Sequence, residues 1–538
     1  MTAADTPVLS VRGLTIDLPS GGDRRSAVES VSFDLAAGEI LCVVGESGSG
    51  KSATAFAVMN LLARELDVSA GQILFKGQDL LTLPAEARRT FSGQSMSMIF
   101  QEPMTALNPV YSIGHQVEEV LVIHQPDMSR ATRHARMLET LRAVNLPDPV
   151  AIAKAYPHQI SGGQRQRVMI AMALILNPSV LIADEPTTAL DVTTQAQILK
   201  LIDTLRHKRG AGVLFITHDI GVVREIADRV IVMRGGRVIE AGPAAKVLDS
   251  PTQDYTRQLI DAVPPLQAPP PRAPVQGRPL LNIAGLDKTY GKGLLAGRRI
   301  AAVADVDLTV AQGEVLSIVG ESGSGKSTLA RIVAGLVPPS SGTIDLPKGG
   351  AADARGTRVN KVQMVFQDPN RSLNPRLRIG ASLIEGPMNA GLSRAEAMAR
   401  GAALIARVGL EPSALQRYPH QFSGGQRQRI CIARALAMEP DLLIADEAVS
   451  ALDMTVQNQV LDLLEELQRE LGLGMIFITH DLRVAARISD RICVMQKGRI
   501  VEQGTAAKVL ANPKSAYTQQ LLDAMPGRAA VAKIAAGI

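Results

Sequence analysis

Along this chain, short apolar runs rich in β-branched residues alternate with helical stretches, a pattern that predicts an α/β architecture with buried parallel strands. Residues 39–44, 180–184 and 213–217 are near-continuous apolar runs of strand length, as strands covered on both faces require. Residues 314–319, 442–446 and 475–479 repeat them. Residues 229–233 and 238–241 flank Gly235-Gly236 and predict a hairpin, which 491–495 and 500–503 repeat. Between the copies the pattern breaks, with prolines at 264, 265, 269, 270, 271, 274 and 279. Such a composition favours an extended polyproline II linker, which at about 3.1 Å per residue reaches roughly 50 Å. The expected division is therefore a first domain at 1–263, a linker at 264–279, a second domain at 280–526 and a frayed tail at 527–538.

Length and composition agree with this division. A chain of 538 residues is too long for one core, and its 46% hydrophobic and 20% charged residues are those of a folded protein. The formal charge of +5 is small for so large a surface, and with no Trp and 3% aromatics the chain lacks the stacking residues of single-strand nucleic-acid binders. Nucleic acid is not an expected partner. Cys42, Cys431 and Cys493 lie far apart inside apolar runs, which predicts buried thiols in a reducing compartment rather than disulfides or a metal cluster. The N-terminus has no basic region followed by an apolar stretch, and the most apolar segment, 168–182, is broken by Asn177-Pro178. A cytoplasmic protein is expected, with any membrane role supplied by partners.

The chemistry is concentrated in motifs that occur twice. Gly45-Glu46-Ser47-Gly48-Ser49-Gly50-Lys51-Ser52 recurs letter for letter from Gly320 through Ser322, Gly323 and Gly325 to Lys326 and Ser327. Each copy follows an apolar strand, and such a loop wraps phosphates with its backbone N–H groups at a helix N-terminus, where Ala53 and Thr328 add the next amides. Lys51 and Lys326 are placed to reach the β- and γ-phosphates, and Ser52 and Ser327 to bind Mg²⁺. Asp184 and Asp446 end apolar strands, where a carboxylate holds Mg²⁺ through water, and Glu185 and Glu447 follow directly, placed to polarise an attacking water. An isolated Asp-Glu pair reads as a helix cap, but both pairs recur after a P-loop. His218 and His480 close Ile-Thr-His-Asp segments, where an imidazole can bond the γ-phosphate and the attacking water. Gln101 and Gln367, each preceded by Phe, are placed to sense Mg²⁺ and that water.

Together these residues resemble the ATPase subunits of ABC transporters over nearly the whole chain. The specific mark is Ser161-Gly162-Gly163-Gln164 and Ser423-Gly424-Gly425-Gln426, which look like that family's signature loop. A Ser hydroxyl and glycine amides opening a helix form an anion site without a lysine, so the phosphate must be delivered from elsewhere. The resemblance implies two P-loop nucleotide-binding domains, each with a RecA-like parallel core, an antiparallel β subdomain and an α-helical subdomain, paired head to tail. It further implies that Lys51, Asp184, Glu185 and His218 act with Ser423 and Gly425, and that Lys326, Asp446, Glu447 and His480 act with Ser161 and Gly163. Ala189-Leu190-Asp191 and Ala451-Leu452-Asp453 match the loop linking two such sites.

Within that family, Tyr156-Pro157-His158-Gln159 and Tyr418-Pro419-His420-Gln421 look like importer ATPases. The segments beginning Tyr255-Thr256-Arg257-Gln258 and Tyr517-Thr518-Gln519-Gln520 resemble the closing segment of the dipeptide, oligopeptide, nickel and glutathione importers, and among tandem chains the peptide and microcin C importer ATPases. That likeness implies ATP and Mg²⁺ as cofactors, two permease subunits and an extracytoplasmic binding protein as partners, and a peripheral place on the cytoplasmic face of the bacterial inner membrane. Tyr290 stands where this family stacks a ring on adenine, whereas the first half has Leu18; Ala448 stands where the first half has Pro186. No cysteine follows Cys493, so the iron–sulfur centre of some relatives is not expected. Tandem relatives that act on ribosomes or repair DNA carry a charged helical linker, or coiled coils and zinc cysteines, that this chain lacks.

Overall fold

The computed structural model describes residues 7–19, 24–101, 106–187, 190–264, 275, 277–291, 300–346, 361–450 and 452–526. They form two compact units whose main division falls between Val263 and Pro264. Most of the linker and the whole tail lie outside the described residues. Pro279, read above as the linker's last residue, instead opens a strand opposite Ala311, a position where a missing N–H costs no ladder bond.

In the first unit β1 (Leu9–Asp17), β2 (Ser26–Leu35), β4 (Asp67–Phe75) and β5 (Gln78–Asp79) make an antiparallel sheet in the order β2-β1-β4-β5. A second sheet takes β3 (Ile40–Val44), β6 (Met96–Ile99), β7 (Val180–Asp184), β8 (Gly212–Ile216), β9 (Arg229–Arg234) and β10 (Arg237–Pro243) in the order β10-β9-β3-β8-β7-β6. All its pairs are parallel except the hairpin β9-β10.

The second unit repeats the plan. β11 (Pro279–Tyr290), β12 (Ile300–Ala311) and β14 (Ser341–Asp345) are antiparallel in the order β12-β11-β14. β13 (Val315–Val319), β15 (Val362–Val365), β16 (Leu442–Asp446), β17 (Gly474–Thr479), β18 (Arg491–Gln496) and β19 (Arg499–Thr505) run β15-β16-β17-β13-β18-β19.

Period-two alternation explains why the parallel strands are apolar throughout. Ile40, Cys42 and Val44 face a core shared with the helices Ile113–His124, Arg130–Ala143 and Gly162–Leu174, while Leu41 and Val43 face the antiparallel sheet and the helix Lys51–Met59. In the second unit Leu443 and Ala445 face the helical side and Leu442 and Ile444 the other. The three cysteines are buried strand or helix residues; burial pushes the Cys431 thiol up to about 11 and Cys493 to about 12, so neither is a thiolate at neutral pH.

This topology places the chemistry. In an open parallel sheet, ligands bind beyond the carboxyl ends of the strands. The adjacent strands β3, β8, β7 and β6 all point one way, so the P-loop, His218, Asp184-Glu185 and Gln101 leave the same edge side by side. Strands β13, β17, β16 and β15 present the second P-loop, His480, Asp446-Glu447 and Gln367 in the same row.

Candidate active site

The P-loop leaves β3 at Gly45, whose φ of 150° lies in the region that favours glycine, and a Cβ there would sit 2.2 Å from the Met233 carbonyl. Gly320 repeats this, with φ 154° and the Met495 carbonyl at 2.2 Å. The loop then turns into the helix Lys51–Met59, carrying Ser47, Gly48 and Gly50 around the turn and Ala53 in the first helical turn. Ser322, Gly323, Gly325 and Thr328 occupy the same places before and within Lys326–Val333.

Both lysines are buried, and each folds back into its loop. Lys51 Nζ donates to Gly45 O at 2.7 Å and Glu46 O at 2.8 Å; Lys326 Nζ donates to Gly320 O at 2.7 Å and Glu321 O at 2.8 Å. Burial lowers the Lys326 ammonium below the ordinary lysine value, against the pull of Glu447 and Asp446. An ammonium folded onto carbonyls in a poorly solvated loop is a ready partner for a polyanion.

Next to each lysine a hydroxyl meets a carboxylate. Ser52 Oγ donates to Asp184 Oδ1 at 3.0 Å, and Ser327 Oγ to Asp446 Oδ1 at 3.0 Å. Burial pushes Asp184 up to about 6, opposed by the bond from Ser52, and Asp446 is raised for the same reason. A buried carboxyl whose charge burial disfavours gains most from a bound positive ion.

The following glutamates leave the strands with left-handed backbones, Glu185 and Glu447 both at φ 47°, and their N–H groups donate to Ile216 O at 2.9 Å and Ile478 O at 3.0 Å. Such a backbone on a non-glycine residue costs about 1–3 kcal/mol and persists where the surroundings impose it. Each glutamate is then gripped by two side chains. Gln101 Nε2 donates to Glu185 Oε2 at 3.0 Å and Gln367 Nε2 to Glu447 Oε2 at 2.7 Å. His218 Nδ1 is 3.3 Å from Glu185 Oε1, and His480 Nδ1 is 3.9 Å from Glu447 Oε2. Burial works against a charged imidazole, but the bond to and charge of the glutamate outweigh it, holding both histidines above the ordinary value. Glu447 is correspondingly held low: burial opposes its charge, and His480 and Lys326 outweigh burial.

The signature loops open the helices Gly162–Leu174 and Gly424–Leu436 with reciprocal caps. Gln164 N donates to Ser161 Oγ at 3.3 Å while Ser161 N donates to Gln164 Oε1 at 2.9 Å; Ser423 and Gln426 do the same at 3.3 and 3.0 Å. Gln164 and Gln426, expected to contact nucleotide as members of the signature loop, each form the N3 half of a capping box. Gly163 and Gly425 are the second residues of these helices. Tyr290 ends β11 with its ring 42% exposed and Lys288 Nζ 5.3 Å from its centre, whereas Leu18 follows β1 and is half-buried. Ala189 and Ala451 lie outside the described residues.

Three contacts escaped the sequence reading. Arg24 donates to Gly48 O at 3.0 Å, placing a guanidinium beside the first P-loop. The phenols of Tyr255 and Tyr517 accept from Glu46 N and Glu321 N, both at 3.1 Å. The tyrosines were visible as marks of the closing segment; their destination was not, because it lies some two hundred residues earlier in the chain.

A parallel sheet with a P-loop, a strand-end Asp-Glu pair and a histidine on one edge, present twice, defines a tandem P-loop ATPase. The family model for ABC transporters matches residues 28–188 and 303–450, and that for the oligopeptide/dipeptide transporter C-terminal region matches 239–286 and 501–535. This chain belongs to the ABC transporter family and is one of its ATP-hydrolysing, ATP-binding proteins, with two cassettes in tandem. It is 46% identical to the peptidoglycan transport ATP-binding protein YejF of Agrobacterium fabrum over 96% of each chain. It is 45% identical to the glutathione import ATP-binding protein GsiA of Salmonella choleraesuis, over 96% of this chain and 89% of that one. Among solved structures, the bacterial ABC transporter cassette MJ0796 is similar over 44% of this chain and 98% of its own, at 29% identity and a TM-score of 0.40. Among the described residues no helix is long and apolar enough to cross a membrane.

Proposed function

We propose that this protein powers uptake of a peptide-like solute by hydrolysing ATP at two sites, working with two membrane permeases and an extracytoplasmic binding protein on the inner face of the bacterial cytoplasmic membrane. The observation that carries this reading is the pairing of a full set of reacting groups with an oligopeptide-transporter closing region in each half. Peptides are the cargo we favour. Glutathione, itself a tripeptide, is a specific second reading because several relatives near 45% identity are named for its import. Pull-down of the permeases and binding protein, followed by uptake of labelled peptides and of glutathione in a deletion strain, separates the two. Uptake unaffected by the deletion for both cargoes would exclude the proposal.

Mg²⁺ fits the oxygen donors present. A serine hydroxyl and a buried carboxylate lie 3.0 Å apart in both halves, and hard cations take such ligands. Ser52 with Asp184, and Ser327 with Asp446, would hold the ion, with Gln101 and Gln367 nearby; when bound it neutralises charge on the β- and γ-phosphates. The chain's own groups account for the rest. P-loop amides and the lysine, released from its carbonyls, bind the phosphates; Glu185 or Glu447, steadied by glutamine and histidine, orients water in line with the γ-phosphorus. As the new P–O bond forms and the bond to ADP's β-phosphate oxygen breaks, the water's proton passes to that glutamate.

We further propose that the signature serines and Gly163 and Gly425 complete the opposite half's site, since a capped helix N-terminus without a lysine binds phosphate only when it is delivered. The first check is single-turnover ATPase of the full chain. Glu185→Gln combined with Glu447→Gln is expected to slow hydrolysis about 100-fold or more while ATP still binds. Wild-type turnover in that double variant would remove the glutamates from the mechanism.

A further inference from the structure

We propose that the closing-helix tyrosines, Tyr255 and Tyr517, are positioning residues for ATP binding, acting through the peptide that joins the first two residues of each P-loop. The helices Asp254–Asp261 and Ala516–Asp523 each bury this ring, leaving it 5% and 6% exposed. Each phenol oxygen accepts from the amide of the loop's second residue at 3.1 Å. The same peptide plane offers its carbonyl, Gly45 O or Gly320 O, to the P-loop lysine at 2.7 Å. One peptide is thus held from both ends, its N–H by a tyrosine and its C=O by the ammonium that must move to the phosphates.

This arrangement matters because the peptide follows a glycine. With φ near 150° and no Cβ, Gly45 and Gly320 leave that plane able to rotate once the lysine departs. Rotation of that plane would swing Glu46 or Glu321 and displace the amides that follow it, the groups that wrap the phosphates. The tyrosine prevents this, since rotation breaks its hydrogen bond in a buried place where an unpaired N–H is costly. The hydroxyl is suited to the task at any physiological pH: burial pushes the Tyr517 phenol up to about 12, against the bond from Glu321 N. The contact occurs with the same distance in two units of different sequence, so it does not depend on one local environment. The rings' other neighbours differ, for Arg234 stacks 4.6 Å from the centre of Tyr255 while Gln496 ends the corresponding strand β18.

This inference rests on ATP binding at the two P-loops, and the test separates the two claims. Tyr255→Phe, Tyr517→Phe and the double variant, in the full chain, keep the buried ring and remove the hydroxyl that accepts from the loop. Equilibrium titration with a fluorescent ATP analogue in EDTA, steady-state ATPase with Mg²⁺ and thermal unfolding are compared with wild type. The expected result for the double variant is a Kd and KM raised about two- to ten-fold, kcat within about two-fold, and a melting temperature lowered by about 2–4 °C per lost bond at most. A purely structural role would lower the melting temperature and leave Kd alone, which overturns the proposal, as does a Kd equal to wild type. If wild type itself shows no affinity for the analogue, the nucleotide reading falls with it. Should the double variant not fold, each single variant gives the same comparison at its own site.

Discussion

At the scale of single residues, identical motifs do not guarantee identical tolerance. Gly163 and Gly425 hold the same place in the same four-letter loop, yet their surroundings differ at one side chain. A Cβ on Gly163 would lie 3.5 Å from Thr194 Cγ2, ordinary contact, whereas one on Gly425 would lie 2.2 Å from Val456 Cγ1. Valine is stiff at χ1 and this one sits in the helix Met454–Leu471, so it has little room to yield. Gly425→Ala is expected to destabilise the second unit by about 1–3 kcal/mol, and Gly163→Ala the first by clearly less, as thermal or urea unfolding of each variant would show. Equal losses would mean that the valine gives way. Lys51, Asp184, Glu185 and His218 stood out in the sequence by residue type and repeat, and the strand order brings them to one edge of the sheet. The left-handed backbones of Glu185 and Glu447 were not legible, since glutamate is no turn former and only the fold imposes φ 47° there.

At the scale of elements, the parallel strands were readable to within a residue or two, because strands buried on both faces must be apolar along their whole length. Their carboxyl ends carried the Asp-Glu pairs and histidines in plain view. Helix starts such as Ser161 and Ser423 were equally plain, and Gln164 and Gln426 close them with a reciprocal bond that the spacing alone did not reveal. Pro279 misled for a different reason: proline is the usual mark of a linker, and its tolerance at the first residue of β11 depends on a partner strand. What tethers the closing segments was also invisible. Glu240 in β10 accepts from Thr252 N at 2.8 Å and Gln253 N at 3.3 Å, and Glu502 in β19 accepts from Lys514 N at 2.8 Å and Ser515 N at 3.0 Å. Burial opposes charge on these carboxylates, but the donated bonds outweigh it, so both are held below the ordinary value of 4.5. Lowered folded-state values mean that the unfolded chain binds more protons in this range, so the stabilisation is complete above the ordinary value and lost as pH falls through the lowered one. Glu240→Gln with Glu502→Gln should therefore lower the melting temperature by about 2–4 °C at pH 7, and the gap to wild type should close as pH falls below the ordinary value of 4.5. A gap independent of pH would show that the charges contribute nothing to holding the closing segments.

At the scale of the whole molecule the duplication was the most legible feature, since repeated motifs need no structural insight to find. Its functional consequence is a question of pairing, which the two units taken separately do not answer. If each signature serine serves the other half's P-loop, damage in one half can be arranged to strike either the same composite site twice or both sites once. Ser423→Arg places a bulky cation where phosphate is to be received, and under crossed pairing it disables the site of Lys51 and Glu185. Adding Glu185→Gln then costs nothing further, and the site of Lys326, Glu447 and Ser161 continues to turn over. Adding Glu447→Gln instead removes the last working glutamate, and hydrolysis should fall by a further factor of about 100 or more. Uncrossed pairing, with each half complete in itself, predicts the reverse order for the same two double variants. ATPase rates of these two chains, at equal concentration and with matched melting temperatures, decide between the arrangements, because the non-additivity of substitutions within one working unit is what the comparison reads.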